Sequence, residues 1–267
     1  MLKNPIVCYL FTRYDKTSSL INFVNYYKEN SAGIDHTLVI CFKLLDKKKI
    51  NSLKKYLKGL IYIEFDDPEN INDFDFGSYR RIALKYVDND ILFLNSHSYP
   101  ICSNWLKKLY YHFNKDTLIG TSASNESILD SIKLKKRYKF ISFIFKKFYF
   151  KKKFKSFPNP HIRTSSFLVN AQKLTNYLDN KIIKYKKDAW EIESGFNSIT
   201  NYFKKNNYGV FVVNSDGDKF SENNWKLSET FNFFKESKSI ISDKHTRKYL
   251  LLNENEKRKF QLNSWGI

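Results

Sequence analysis

The segment Asp90-Ile91-Leu92-Phe93-Leu94-Asn95-Ser96-His97-Ser98-Tyr99-Pro100 is followed closely by Asn104, Trp105, Leu106 and Leu109. An apolar run of strand length stops at small polar residues and gives way to a helix opened by Trp. That is the pattern of a buried strand delivering polar groups to a cleft at its carboxyl end. Residues 6–12, 36–42, 60–65, 118–121, 163–170 and 209–214 read as further strands, and 18–27, 48–57, 76–86, 105–113, 171–178 and 190–203 as helices. Within 18–27, Leu20, Phe23, Val24 and Tyr27 fall on one side. The alternation predicts an α/β fold with a mostly parallel central sheet flanked by helices. Pro158-Asn159-Pro160 and Asp216-Gly217 read as turns, and 221–267 as a mixture of loop and helix.

With 42% hydrophobic residues, including 24 Phe, 18 Tyr and 4 Trp, a chain of 267 residues can build one sizeable core. We expect a single domain: a first half at 1–130, an insertion at 131–157, a second half at 158–220 and an extension at 221–267. No run approaches the ~20 apolar residues of a membrane span. Residues 5–11 are too short, and too soon followed by Arg13 and Asp15, for a secretory leader. Cys8, Cys41 and Cys102 lack paired spacing, which suits buried thiols in a reducing compartment. A cytoplasmic protein is expected.

The formal charge is +19, and the insertion concentrates it: residues 131–155 hold eleven Lys and Arg and no acid, interleaved with aromatics and Ile. Basic and aromatic residues in a short element favour an anionic membrane surface, contacted here through 132–157 at the inner face of the cell membrane. A solvated basic loop whose aromatics pack onto the domain is the plainer alternative. Nucleic acid is the weakest reading. Lys outnumbers Arg 39 to 7, and Arg is the residue favoured for forked phosphate and base contacts.

Several blocks, taken in order, resemble bacterial glycosyltransferase-like proteins of polysaccharide clusters that carry the A-type fold. They are Ala32-Gly33-Ile34-Asp35-His36, Asp73-Phe74-Asp75-Phe76-Gly77-Ser78-Tyr79, Phe93-Leu94-Asn95-Ser96, Gly120-Thr121-Ser122-Ala123-Ser124-Asn125-Glu126-Ser127, His161-Ile162-Arg163-Thr164 and Trp190-Glu191-Ile192-Glu193-Ser194-Gly195. The resemblance implies a nucleotide-sugar donor on the first half of the sheet and a glycan or lipid-linked acceptor on the second. It implies donor contacts at Thr12, Asp73, Asp75, Gly77, Tyr79, Arg80, Asn95, Ser96 and His97. The metal-binding Asp-x-Asp element of the family would fall at Asn95-Ser96-His97, with His97 in place of a carboxylate.

The chemistry of these residues leaves alternatives. Asp73 or Asp75 would serve as the cap of the helix that follows. A hard ion such as Mg2+ wants oxygen ligands, whereas a neutral imidazole suits Mn2+ better. His97 therefore binds Mn2+ or touches a phosphate, or the enzyme works without metal and uses Lys or Arg; the last is slightly favoured. Glu191 and Glu193 open a helix where an inverting enzyme would hold its general base. Two residues apart, they point to different faces, and Glu191 is the one expected to face the cleft. Helix-start carboxylates also answer to the helix dipole alone. Glu126, His161, Arg163 and Trp190 are the expected acceptor contacts, with phosphate binding by Arg163 set against an ordinary salt bridge. His245 would reach a diphosphate if the tail folded over the cleft. The expected function is sugar transfer from a nucleotide donor to a surface polysaccharide or lipid-linked acceptor. A noncatalytic glycan-binding relative of the same fold is the first alternative and a nucleic-acid-binding protein the second.

Overall fold

The computed structural model describes residues 4–133 and 140–267. Lys135, Lys136, Arg137, Tyr138 and Lys139 of the basic segment lie outside the described residues. The first part of the chain alternates β1 (Ile6–Thr12), α1 (Thr17–Glu29), β2 (Thr37–Lys43), α2 (Lys47–Lys54), β3 (Ile63–Asp66), α3 (Phe74–Lys85) and β4 (Asp90–Leu94). Then come β5 (Tyr99–Pro100), α4 (Trp105–Tyr111), β6 (Thr117–Gly120), β7 (Ala123–Ser124) and α5 (Phe140–Lys151). The chain continues through β8 (His161–Ile162), β9 (Ser166–Asn170), α6 (Ala171–Leu178), α7 (Lys186–Ser194), α8 (Ile199–Lys205), β10 (Gly209–Val213) and β11 (Lys219–Phe220). The tail carries β12 (Ile241–Ser242), α9 (Lys244–Leu250) and α10 (Glu254–Trp265).

The fold is α/β. Eight strands form one sheet in the order β11-β10-β6-β9-β4-β1-β2-β3. Strands β3, β2, β1 and β4 run parallel, as do β6 and β10, whereas β9 is antiparallel to both β4 and β6. Strand β1 is apolar from Ile6 to Phe11 because helices cover both its faces, so neither parity of residue there meets water. Ile6, Cys8 and Leu10 pack beneath α3, α6, α7 and α8. Val7, Tyr9 and Phe11 pack against α1, α2 and α4, with Trp105 wholly buried there.

Two expectations change. The helix expected over 190–203 is two helices, because Gly195 leaves the helical conformation at φ −76°, ψ 176° and the Ser198 side chain caps a fresh start by accepting from Asn201 N–H. The 221–267 tail contains a strand as well as helices and loops, and forms a separate two-stranded sheet. Strand β12 pairs with β5, just past the polar end of β4. Among the described residues of the basic insertion one helix forms, α5, of which Phe150 is buried while most other side chains are exposed. Among the described residues no helix is long and apolar enough to cross a membrane.

Candidate active site

The carboxyl ends of β1, β2 and β4 and the amino end of the reversed strand β9 meet at one edge of the sheet, where Asn95 N–H donates to the Ser165 carbonyl. From β1 the chain crosses over towards β2, while β4 flanks β1 on the other side, so the edge is a topological switch point where α/β sheets open a ligand crevice. Asp15, in the turn after β1, organises it. Its Oδ2 accepts from Thr12 N–H (2.8 Å) and Thr12 Oγ1 (2.7 Å), and its Oδ1 accepts from Ser96 Oγ (2.7 Å). His97 Nε2 lies 3.7 Å from the same carboxylate and its Nδ1 3.4 Å from Ser19 Oγ. Thr12, Ser96 and His97 are thus brought together, around an aspartate absent from the expected site residues.

Asn95 serves the turn itself. Its Oδ1 accepts from His97 N–H (3.0 Å) and Ser98 Oγ (2.8 Å). With that oxygen committed and Ser96 donating inward, the strand end offers His97 Nε2 and the Asp15 carboxylate. Among the described residues no group of three His, Cys, Asp or Glu side chains could hold a metal ion. The donor set falls short of the oxygen-rich shell that Mg2+ takes, and no step below is routed through a metal.

On α3 the expected donor residues separate. Asp73 stands at the helix start but makes no capping bond. Its carboxylate instead takes Lys43 Nζ and Arg81 Nη1, each at 2.5 Å. Arg81 also grips the buried Asp67 through Nε (2.6 Å) and Nη2 (2.7 Å), and Ser78 Oγ donates to Asp67. Burial by itself would raise the Asp73 carboxyl, but hydrogen bonds from Arg81 and Lys43 outweigh it and hold it below the usual carboxylate value. Gly77 lies against this network, since a Cβ there would come within 1.8 Å of Asp73 Cγ. Its close approach is to Asp73. Tyr79 is buried among Phe76, Phe93 and Phe167, away from any cleft. Arg80 reaches Asp179 at 3.5 Å and lines, with Asp73, Gly77 and Arg81, a separate hollow of ≈ 540 Å³. Asp75 turns to the crevice with its neighbours Phe74 and Phe76, beside Thr164, Trp190 and Glu193.

The second half of the chain supplies the other wall. Glu193 Oε1 accepts from Thr164 N–H and Oγ1, both at 2.9 Å, which fixes the carboxylate at the mouth of β9. Glu191 faces the other way. It pairs with Lys153 at 3.0 Å and borders a separate hollow with Lys181 and Asp188. Trp190 and Glu193 form the shared wall of two adjoining hollows. One, of ≈ 170 Å³, is lined by Asp75, Thr164 and Lys186. The other, of ≈ 240 Å³, is lined by Glu126, His161, Arg163 and His245. The four expected acceptor residues thus meet at one place. Burial, the nearby Asp15 charge and, more weakly, Glu193 push the Asp75 carboxyl up to about 6 against the pull of Lys43.

Arg163 Nη1 pairs with Asp243 at 2.8 Å and donates to Ser122 Oγ, and the guanidinium stacks 3.8 Å from the centre of the Phe231 ring. Burial would raise the Asp243 carboxyl, but Arg163 and the Thr246 N–H hold it well below the carboxylate range. The tail closes over this wall. Arg247 donates to the His97 carbonyl (3.0 Å), and Ser264 Oγ donates to Glu126 Oε1 (2.9 Å).

No protein-family model matches the chain. No curated protein matches it either. Among solved structures it is similar to the galactosyltransferase LgtC in complex with donor and acceptor sugar analogs, at 13% identity and TM-score 0.45, over 79% of this chain and 73% of that one. It is also similar to 4-diphosphocytidyl-2C-methyl-D-erythritol synthase, at 9% identity and TM-score 0.45, over 83% of this chain and 94% of that one. A third similarity is to the apo-form glycosyltransferase GlyE of Streptococcus pneumoniae, at 9% identity and TM-score 0.41, over 78% of this chain and 45% of that one.

Proposed function

We propose that the chain transfers a sugar from a nucleotide diphosphate donor to a hydroxyl of a glycan, with a surface polysaccharide or lipid-linked glycan as acceptor. The observation that carries this reading is Glu193, anchored through Oε1 by two donors from Thr164 and shared by two hollows. Its Oε2 is the oxygen available to take a proton. The donor would lie along the edge formed by Thr12, Asp15, Ser96 and His97, with its sugar beside Asp75. The acceptor would enter from the hollow of Glu126, His161 and Trp190. The acceptor oxygen attacks the anomeric carbon as its proton passes to Glu193, and the bond from that carbon to the diphosphate oxygen breaks. The electron pair leaves with the nucleotide diphosphate. Lys186, which borders the smaller hollow over Trp190, is a cation suited to the departing charge.

The test is turnover of UDP-, GDP- and dTDP-sugars by the purified protein, with and without Mn2+, alongside a thermal-shift titration of the same compounds. Transfer to a glycan acceptor, abolished by Glu193→Gln with donor binding intact, supports the reading. A donor-induced shift without turnover supports the noncatalytic alternative, and no shift with any donor defeats the donor site itself.

A further inference from the structure

We infer that α5 is a membrane-docking helix that seats on anionic lipid and brings the crevice wall at Trp190 close to that surface. At about 3.6 residues per turn, Ile141, Ile144, Phe145 and Phe148 fall on one side of α5. That side is open to solvent: Ile141 is 70% exposed, Phe145 71% and Phe148 60%. A run of large apolar side chains this exposed is a contact surface without its partner. The opposite side, through the buried Phe150, faces the protein, and Phe150 stacks on Phe154 and meets Trp190 at 6.4 Å. The Lys153–Glu191 pair ties the end of the insertion to α7. The helix is therefore rooted directly behind the residue that both hollows share.

Charge selects the occupant. Lys147 and Lys151 flank the apolar side along one edge, Lys146 lies nearer the Phe150 side, 5.5 Å from that ring, and no acidic residue occurs anywhere in 131–155. Anionic headgroups complement that rim while acyl chains receive the Ile and Phe side chains, the arrangement of an interfacial amphipathic helix. A second copy packed on the same face would oppose lysine to lysine with no compensating acid. Single-stranded nucleic acid binds through stacking faces, which Ile141 and Ile144 do not have, and α5 contains no Arg.

The test is co-sedimentation of the full chain with vesicles of phosphatidylcholine alone and of phosphatidylcholine mixed with phosphatidylglycerol, at low and high salt. The expected result is binding to the mixed vesicles that weakens with salt. Lys147→Gln/Lys151→Gln should weaken partitioning roughly thirtyfold, and Phe145→Ser/Phe148→Ser should abolish it. All four residues are exposed, so a melting curve that matches the parent shows that each variant is folded. Binding unchanged in both variants, or no binding to the mixed vesicles, overturns the inference. So does a dimer in sedimentation velocity that Phe145→Ser/Phe148→Ser dissolves, or retention of an oligonucleotide that excess anionic vesicles do not displace. Vesicle binding is read without any donor or acceptor, so it succeeds or fails independently of sugar transfer.

Discussion

Glu191 and Glu193 sit two positions apart on α7 and face opposite ways, one paired with Lys153 and the other held by Thr164 at the crevice. Glu193→Gln should lower transfer by about a hundred- to ten-thousand-fold, the usual worth of a positioned base, while leaving donor affinity unchanged. Glu191→Gln should leave transfer close to the parent rate. Steady-state kinetics on the two variants distinguish them. The sequence marked this pair of carboxylates and their divergence, but which one faces the crevice depends on the phase of a helix that starts at Lys186, ahead of the expected 190. Asp15 was absent from the expected site residues for a related reason: a lone aspartate after a strand looks like any turn residue until Ser96 and His97 arrive from a distant segment. Asp75 allows a test by pH. Its folded-state value of about 6 lies above the ordinary carboxylate value, so the stability it lends is full below that ordinary value and lost as pH rises through about 6. Asp75→Asn should therefore melt at a higher temperature than the parent above pH 6 and converge with it in acid. Melting curves across that range check this.

Among the elements, the tail was the least legible in the sequence and α7 was misjudged in extent. Residues 221–267 show little periodicity because their buried side chains, among them Trp225, Ile240, Ile241, Tyr249 and Trp265, are scattered along short elements and loops, and individual polar contacts tie the rest. The Asp243 pair to Arg163 and the Ser264 bond to Glu126 are examples. Arg163→Met would leave Asp243 buried without its counter-charge. The expected cost is about 3–5 kcal/mol, read from urea unfolding, with much of it recovered by adding Asp243→Asn. The start of α3 gives a second test. Gly77→Ala would drive a methyl group into Asp73 and disturb its pairs with Lys43 and Arg81. Overpacking of this kind costs about 1–3 kcal/mol, and the same urea titration measures it. The Asp73-to-Tyr79 block suggested a ligand wall; Phe74, Asp75 and Phe76 do line a hollow, while Asp73 and Ser78 join Lys43, Asp67 and Arg81 in an ionic clasp between α3 and the ends of β2 and β3. Composition could not separate these uses, because Asp, Arg and Lys serve both.

At the scale of the whole molecule, the architecture was largely legible, since strand-length apolar runs alternate with helical spacing along most of the chain. The reversal of β9 was not, because a strand buried on both faces has no residue pattern that records its direction. That strand joins the two halves of the sheet: β6, from within residues 1–130, has β9 and β10 as its neighbours. A fragment of residues 1–130 should therefore fail to reach a native fold, and its circular dichroism and elution volume should report an unfolded or associated species. The same connectivity has a consequence during synthesis. Strand β4 is complete by Leu94, yet the strand that covers its second edge ends at Asn170. At ribosomal speeds of about 5–20 residues per second, one of the most apolar strands in the protein waits several seconds with open backbone groups along one side. Unpaired edges of that kind invite association with other nascent chains, so the growing polypeptide has a built-in interval in which a chaperone would matter most.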